Sequence, residues 1–214
     1  RVEQLPPALR SRLGQLDPKD WQTQRQALVA QGVNNRVVEQ LVSVAAKSLL
    51  PGVAIGTKPP EPFRQLWFAA ALRSLEEVQI EKVKAGVEMA TVLSSRVPAD
   101  SARLISIQVP PGRRLVLGIN GTPLMQMTVY AADGSVAAER GPLRVVTLQP
   151  EVGSPVQVLV TNEGVSSGLL TLSCRADRPM PKPLPKIDPN PIADPATGAR
   201  GPVEALPEPP GPRP

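Results

Sequence analysis

The spacing of hydrophobic and polar positions changes partway along this 214-residue chain, and the change divides it. Over the first 85 residues apolar side chains recur three and four apart, the period that collects them on one face of a helix. Leu5, Leu9, Leu13 and Leu16 form one such stripe, with Pro6-Pro7 where a first helical turn tolerates proline. Asp17-Pro18 supplies an N-cap and a first-turn proline, predicting a second helix through Trp21, Leu28 and Val29 that Gly32 ends. Asn34 or Asn35 caps a third over 36–50, with Val37, Val38, Leu41, Val42, Val44, Ala45 and Leu49 on one broad side and Pro51-Gly52 as its stop. After a loop from Pro51 to Pro60, Glu61-Pro62 opens a fourth helix, expected to run to about Lys84. Phe63, Leu66, Trp67, Ala70, Ala71, Leu75 and Val78 lie in its apolar register. Glu76, Glu77, Glu81, Lys82 and Lys84 read as a solvated charged face at its end.

From Gly86 the apolar runs become short and β-branched or aliphatic, bounded by turn residues. Strands are predicted over 104–109, 114–119, 124–130, 143–148, 156–161 and 169–174, with a weaker opening run over 87–93 and a short edge strand over 136–139. Pro110-Pro-Gly112, Asn120-Gly121, Asp133-Gly134, Gly141-Pro142, Gly153-Ser-Pro155 and Asn162-Glu-Gly164 each preset a turn or tolerate positive φ. Asn120-Gly121 and Asp133-Gly134 favour tight hairpin turns between neighbouring strands. Strands at this spacing leave no room for helices between them, which implies an antiparallel sandwich or jelly roll. The fold class is therefore α+β: three or four N-terminal helices over 1–85, an antiparallel β-sandwich over 86–177, and a disordered Pro-rich tail over 178–214.

The order of these features resembles the bacterial pre-peptidase C-terminal domain, a small β-sandwich appended to secreted enzymes and envelope proteins. The residues that carry the resemblance are Ile107-Gln-Val-Pro-Pro-Gly112, Arg114-Leu-Val-Leu117, Thr128-Val-Tyr130 with Asp133-Gly134, Val158-Leu-Val160 with Asn162, and Ser166-Ser-Gly-Leu-Leu-Thr-Leu172. It spans about 86–176 and rests on turn spacing. In that family an acidic pair commonly precedes the aromatic strand; Thr122-Pro-Leu-Met125 stands there instead, so a calcium role is not carried over. The resemblance implies a fold and an extracytoplasmic, accessory setting, and no activity.

Composition narrows the chemistry. There is no histidine, which excludes Ser-His-Asp and Cys-His nucleophile pairs and imidazole zinc sites. The single cysteine, Cys174, forms no internal disulfide and sits in a predicted strand as a core residue. Neither a phosphate-binding Gly-Lys-Ser/Thr loop nor a Ser-x-x-Lys pair occurs, so the chain is read as no enzyme, with no metal and no cofactor. The net charge is +5, and the basic excess falls mainly in the first 85 residues, 12 Lys/Arg against 8 Asp/Glu, without gathering into a patch. Aromatics are only 2% of the chain, too few for base-stacking platforms, and nucleic acid is not an expected partner.

The tail holds 13 prolines in 37 residues, and its Pro-Lys and Pro-Glu alternation looks like the spacers of bacterial periplasmic proteins. No run approaches a transmembrane helix, and the chain begins at Arg1, which is read as a mature form after removal of a signal peptide. The expected setting is periplasmic or secreted. The expected function is a non-catalytic binding or structural accessory protein whose sandwich docks on a protein or a cell-surface polymer. The alternative is an assembly subunit docking through its helices, by the Trp67/Phe68 face. The candidate partner-binding residues are Phe63, Trp67, Phe68, Arg113 and Arg114, with core packing as the competing role of the aromatics.

Overall fold

A computed structural model of the chain describes residues 2–50 and 63–180. The 51–60 loop, the Glu61-Pro62 helix start and the proline-rich segment beyond Met180 lie outside the described residues. The predicted helices appear in order. A 3₁₀ turn, Val2–Gln4, and a one-turn α1, Pro7–Arg10, bury Leu5 and Leu9. Helix α2, Pro18–Ala30, begins at the Asp17 cap, where Asp17 accepts from Lys19 N at 2.8 Å and Asp20 accepts from Asp17 N at 3.2 Å, a reciprocal capping box. Helix α3, Asn35–Leu49, is capped by Asn34, whose side chain accepts from Arg36 N at 2.9 Å.

Helix α4, Arg64–Glu77, is shorter than its expected reach to Lys84. Residues 79–84 instead form strand β1, Gln79–Lys84, paired in parallel with β4, Ala102–Gln108. In a strand, Ile80 and Val83 point to opposite faces, and here each face has a core to receive them. Glu81 accordingly leaves the expected solvated helix face: it pairs with Arg103 of β4 and accepts from Ser95 Oγ at 2.8 Å.

The remaining strands are β2, Gly86–Val87; β3, Thr91–Val97; β5, Arg114–Gly121; β6, Met125–Tyr130; β7, Val136–Pro142; β8, Val145–Leu148; β9, Val156–Asn162; and β10, Gly168–Asp177. One sheet runs β1-β4-β9-β6-β7 and the other β2-β10-β5-β8, with β3 also along β10. The interior pairings are antiparallel as expected, while β1 on β4 and β2 on β10 are parallel. Asp133-Gly134 turns the β6–β7 hairpin. Asn120-Gly121 makes no hairpin, because β5 and β6 belong to different sheets and the chain crosses between layers there.

The first sheet lies between two cores. On one side Ile105, Ile107, Met127, Val156 and Val158 meet Leu115, Leu117, Leu170, Leu172 and Cys174 of the second sheet. On the other, Leu104, Leu159 and Tyr130 join Leu41, Val42, Trp67, Phe68 and Leu72 of the helices. Central strand β9 is buried at all its residues for this reason. Helices, first sheet and second sheet are thus three layers of one compact unit.

A polar clasp holds the helical layer in register. Gln157 of β9 donates through Nε2 to Gly32 O at 2.6 Å and accepts at Oε1 from Asn34 N at 3.0 Å. The Asn34 side chain rests on Gly134, where a Cβ would lie 2.3 Å from it and where φ is +82°, so this turn admits only glycine without a shift.

Candidate docking surfaces

The five candidate binding residues are not brought together. Trp67 and Phe68 are each 3% exposed. Trp67 packs against Trp21 with ring centres 5.6 Å apart and planes tilted by 45°, and meets Phe68 edge-on at 5.7 Å, inside the helical layer. The face that the alternative reading would offer to a partner is therefore occupied by internal packing. Phe63, at the N-cap of α4, is the exposed member of the aromatic group, at 39%. Arg113 and Arg114 lie in a different layer, at the start of β5 in the second sheet, with the first sheet between them and the helices.

Both arginines belong to an ionic lattice at one pole of the sandwich. Glu88 meets Arg113 at 3.5 Å and Arg178 at 3.4 Å; Asp177 meets Arg175 at 2.7 Å and Arg114 at 3.7 Å. The hydrogen bond from Arg175 lowers the Asp177 pKa below the usual carboxylate range, with the Arg114 and Arg113 charges adding to it.

Sequence reading missed a cleft of about 370 Å³ where α3 and α4 meet the first sheet. Leu41, Val44 and Ala45 of α3 and Ala102 of β4 give it apolar walls. Its rim carries the Arg73–Glu77 pair at 3.1 Å and the Arg140–Glu163 pair, with Lys47 and Asp100. Thr161 of β9 lines it with a buried hydroxyl that has no partner among the described residues. Two of its other hydroxyls are engaged: Ser74 donates to Ala71 O at 2.9 Å and Ser101 to Pro98 O at 2.9 Å. The lining contains cations and carboxylates in equal number and no paired nucleophile and base. Its residues come from five separate stretches of chain, so no local motif announces it. Among the described residues no group of three or more Cys, Asp or Glu could hold a metal ion, and no helix is long and apolar enough to cross a membrane.

Among the described residues, no element packs over the outer face of the second sheet. Its inward residues alternate with exposed or half-buried Val92, Ser94, Thr171, Ser173, Val145 and Thr147. Leu169 and Arg96, cross-strand partners, sit exposed at one end of it.

Neither a protein-family model nor a curated protein matches the chain. Solved structures similar to part of it include the pre-peptidase C-terminal domain of a collagenase from Bacillus anthracis, at 10% identity and a TM-score of 0.36, covering 45% of this chain and 95% of that one. That domain is of the family whose turn spacing residues 86–176 resemble. PliG of Aeromonas hydrophila, a periplasmic inhibitor of g-type lysozyme, is similar at 12% identity and a TM-score of 0.33, over 46% of this chain and 99% of its own. PliG of Salmonella Typhimurium follows at 10% identity and a TM-score of 0.32, over 45% and 98%.

Proposed function

We propose that this chain is a non-catalytic binding or structural accessory protein of an extracytoplasmic compartment, docking on a protein or a cell-surface polymer through its β-sandwich. The observation that carries the reading is an asymmetry of burial. The helical layer has turned its aromatic cluster inward against the first sheet, while the second sheet keeps its outer face uncovered. Helices that spend their apolar face on the sheet act as a buttress, and the free face is the sandwich's own. The absence of histidine supports a binding role over a catalytic one. The Pro-Lys and Pro-Glu alternation beyond Met180, a spacer composition, supports the extracytoplasmic setting.

The test is affinity capture from the native source with the full chain and two variants. Val145→Arg with Leu169→Arg places charge on the free sheet face, and Phe63→Arg does so on the helical layer. Loss of the captured species in the first variant alone is the expected result. Loss in the Phe63 variant alone, with the sheet variant unaffected, overturns the reading in favour of helical docking. Cell fractionation checks the setting, with recovery in the cytosol as the refuting outcome.

A further inference from the structure

We infer that the arginine-rich pole of the sandwich binds an anionic lipid surface. Three elements converge there: the start of β5, the end of β10, and the turn after β2, whose Glu88 donates its N–H to Ala176 O at 3.1 Å. Four arginines, 113, 114, 175 and 178, share two carboxylates, Glu88 and Asp177, which leaves two positive charges in surplus. Beside them stand unusually exposed apolar side chains: Met89 at 77%, Met180 at 59% and Val87 at 48%. Isolated exposed apolar residues are ordinary on a protein surface; three together, framed by surplus arginines, are not.

The shape and chemistry select the partner class. The apolar side chains belong to a turn and to chain beside a strand end, and neither they nor the four arginines line the cleft described above. Projecting methionine and valine beside guanidinium groups suit a surface that is soft, flat, anionic and apolar just beneath, as a phospholipid leaflet is. Two surplus charges alone hold a protein weakly on such a surface, and shallow insertion of Met89 and Val87 supplies the second attachment. This surface is the edge of the sandwich and its test stands apart from docking by the second sheet's outer face.

The experiment is flotation of the full chain with vesicles of phosphatidylcholine alone or mixed with phosphatidylglycerol, at low and high salt. Binding is expected to the phosphatidylglycerol vesicles only, falling with salt. Arg113→Gln with Arg178→Gln should weaken it by ~10-fold or more, at ~5-fold per charge, and Met89→Ser should weaken it without changing its salt dependence. Arg10→Gln with Lys19→Gln removes the same charge from the helical layer and should leave binding unchanged. The three variants alter exposed side chains and the half-buried Arg113, and unchanged circular dichroism confirms that each is folded. The inference is overturned by equal binding to both vesicle types, by no binding, or by equal weakening in the Arg10/Lys19 control. It is also overturned if the Met89 variant binds like the wild type while soluble polyglutamate competes fully, which would assign the pole to an acidic protein.

Discussion

Gln157 is the test of whether the helical layer is held on the sheet by a specific polar contact or by apolar burial alone. Its side chain is 4% exposed and serves both backbone groups of the α2–α3 turn, donating to Gly32 O and accepting from Asn34 N. Each such bond contributes about 1 kcal/mol net, and a backbone group stranded away from water costs about 1–3 kcal/mol. Gln157→Leu keeps the volume and removes both bonds. Because the bonds are part-buried, the loss is expected near the low end, about 2–3 kcal/mol. That is a large share of the ~5–15 kcal/mol that holds a typical domain.

Gln157→Glu separates the two bonds. The introduced carboxylate still accepts from Asn34 N, yet it sets an oxygen against Gly32 O, so its folded-state pKa rises above the unfolded value. The stability of this variant is therefore greatest at acidic pH, where the protonated carboxyl donates again, and is lost as pH rises through that raised pKa. Urea unfolding followed by circular dichroism, at neutral and mildly acidic pH, measures both effects. A Gln157→Leu loss below about 0.5 kcal/mol, or a Gln157→Glu variant whose deficit is the same at both pH values, would refute the clasp.

Three further outcomes follow from the same packing. Trp67→Ala should destabilise the chain by about 3–5 kcal/mol, because Trp67 is enclosed by Trp21, Phe68 and the helical core; a near-normal urea midpoint would return it to the surface. Arg103→Leu should cost about 3 kcal/mol, the low end for a buried pair because Glu81 keeps its bond from Ser95 while losing its counter-charge, and adding Glu81→Leu should recover most of it. Failure of the double variant to recover, measured by urea unfolding, counts against the pair. Burial pushes the phenol of Tyr130 up to about 12, offset in part by Thr128, and the folded chain keeps a proton that the unfolded chain releases from 10.0 upward. Stability then falls as pH rises through that window, by at most ~1.4 kcal/mol per pH unit. As Tyr130 is the sole tyrosine, phenolate absorbance reports on it directly, and half-ionisation near its ordinary value with intact circular dichroism would sink the account.

The local rules that act within a few residues were legible. Asp17-Pro18 and Asn34 mark the starts of α2 and α3, and Asp133-Gly134 turns β6 into β7, because caps and tight turns are satisfied by neighbouring atoms. Asn120-Gly121 misleads for the converse reason: the same dipeptide closes a hairpin or ends a strand according to which strand lies opposite. The cleft, the clasp and the arginine lattice were not readable as sites, since each is assembled from residues far apart in the chain.

The amino-acid sequence by itself determined the helical start, the sandwich that follows and the exclusion of histidine chemistry, because period, turn residues and composition need no partner to be read. Only the tertiary structure decided that residues 79–84 form a strand, that Gln157 serves the helices, and that Trp67 and Phe68 face inward. Each of those outcomes depends on which surface is opposite. A side chain that can pack in more than one direction is committed by the layer that comes to cover it.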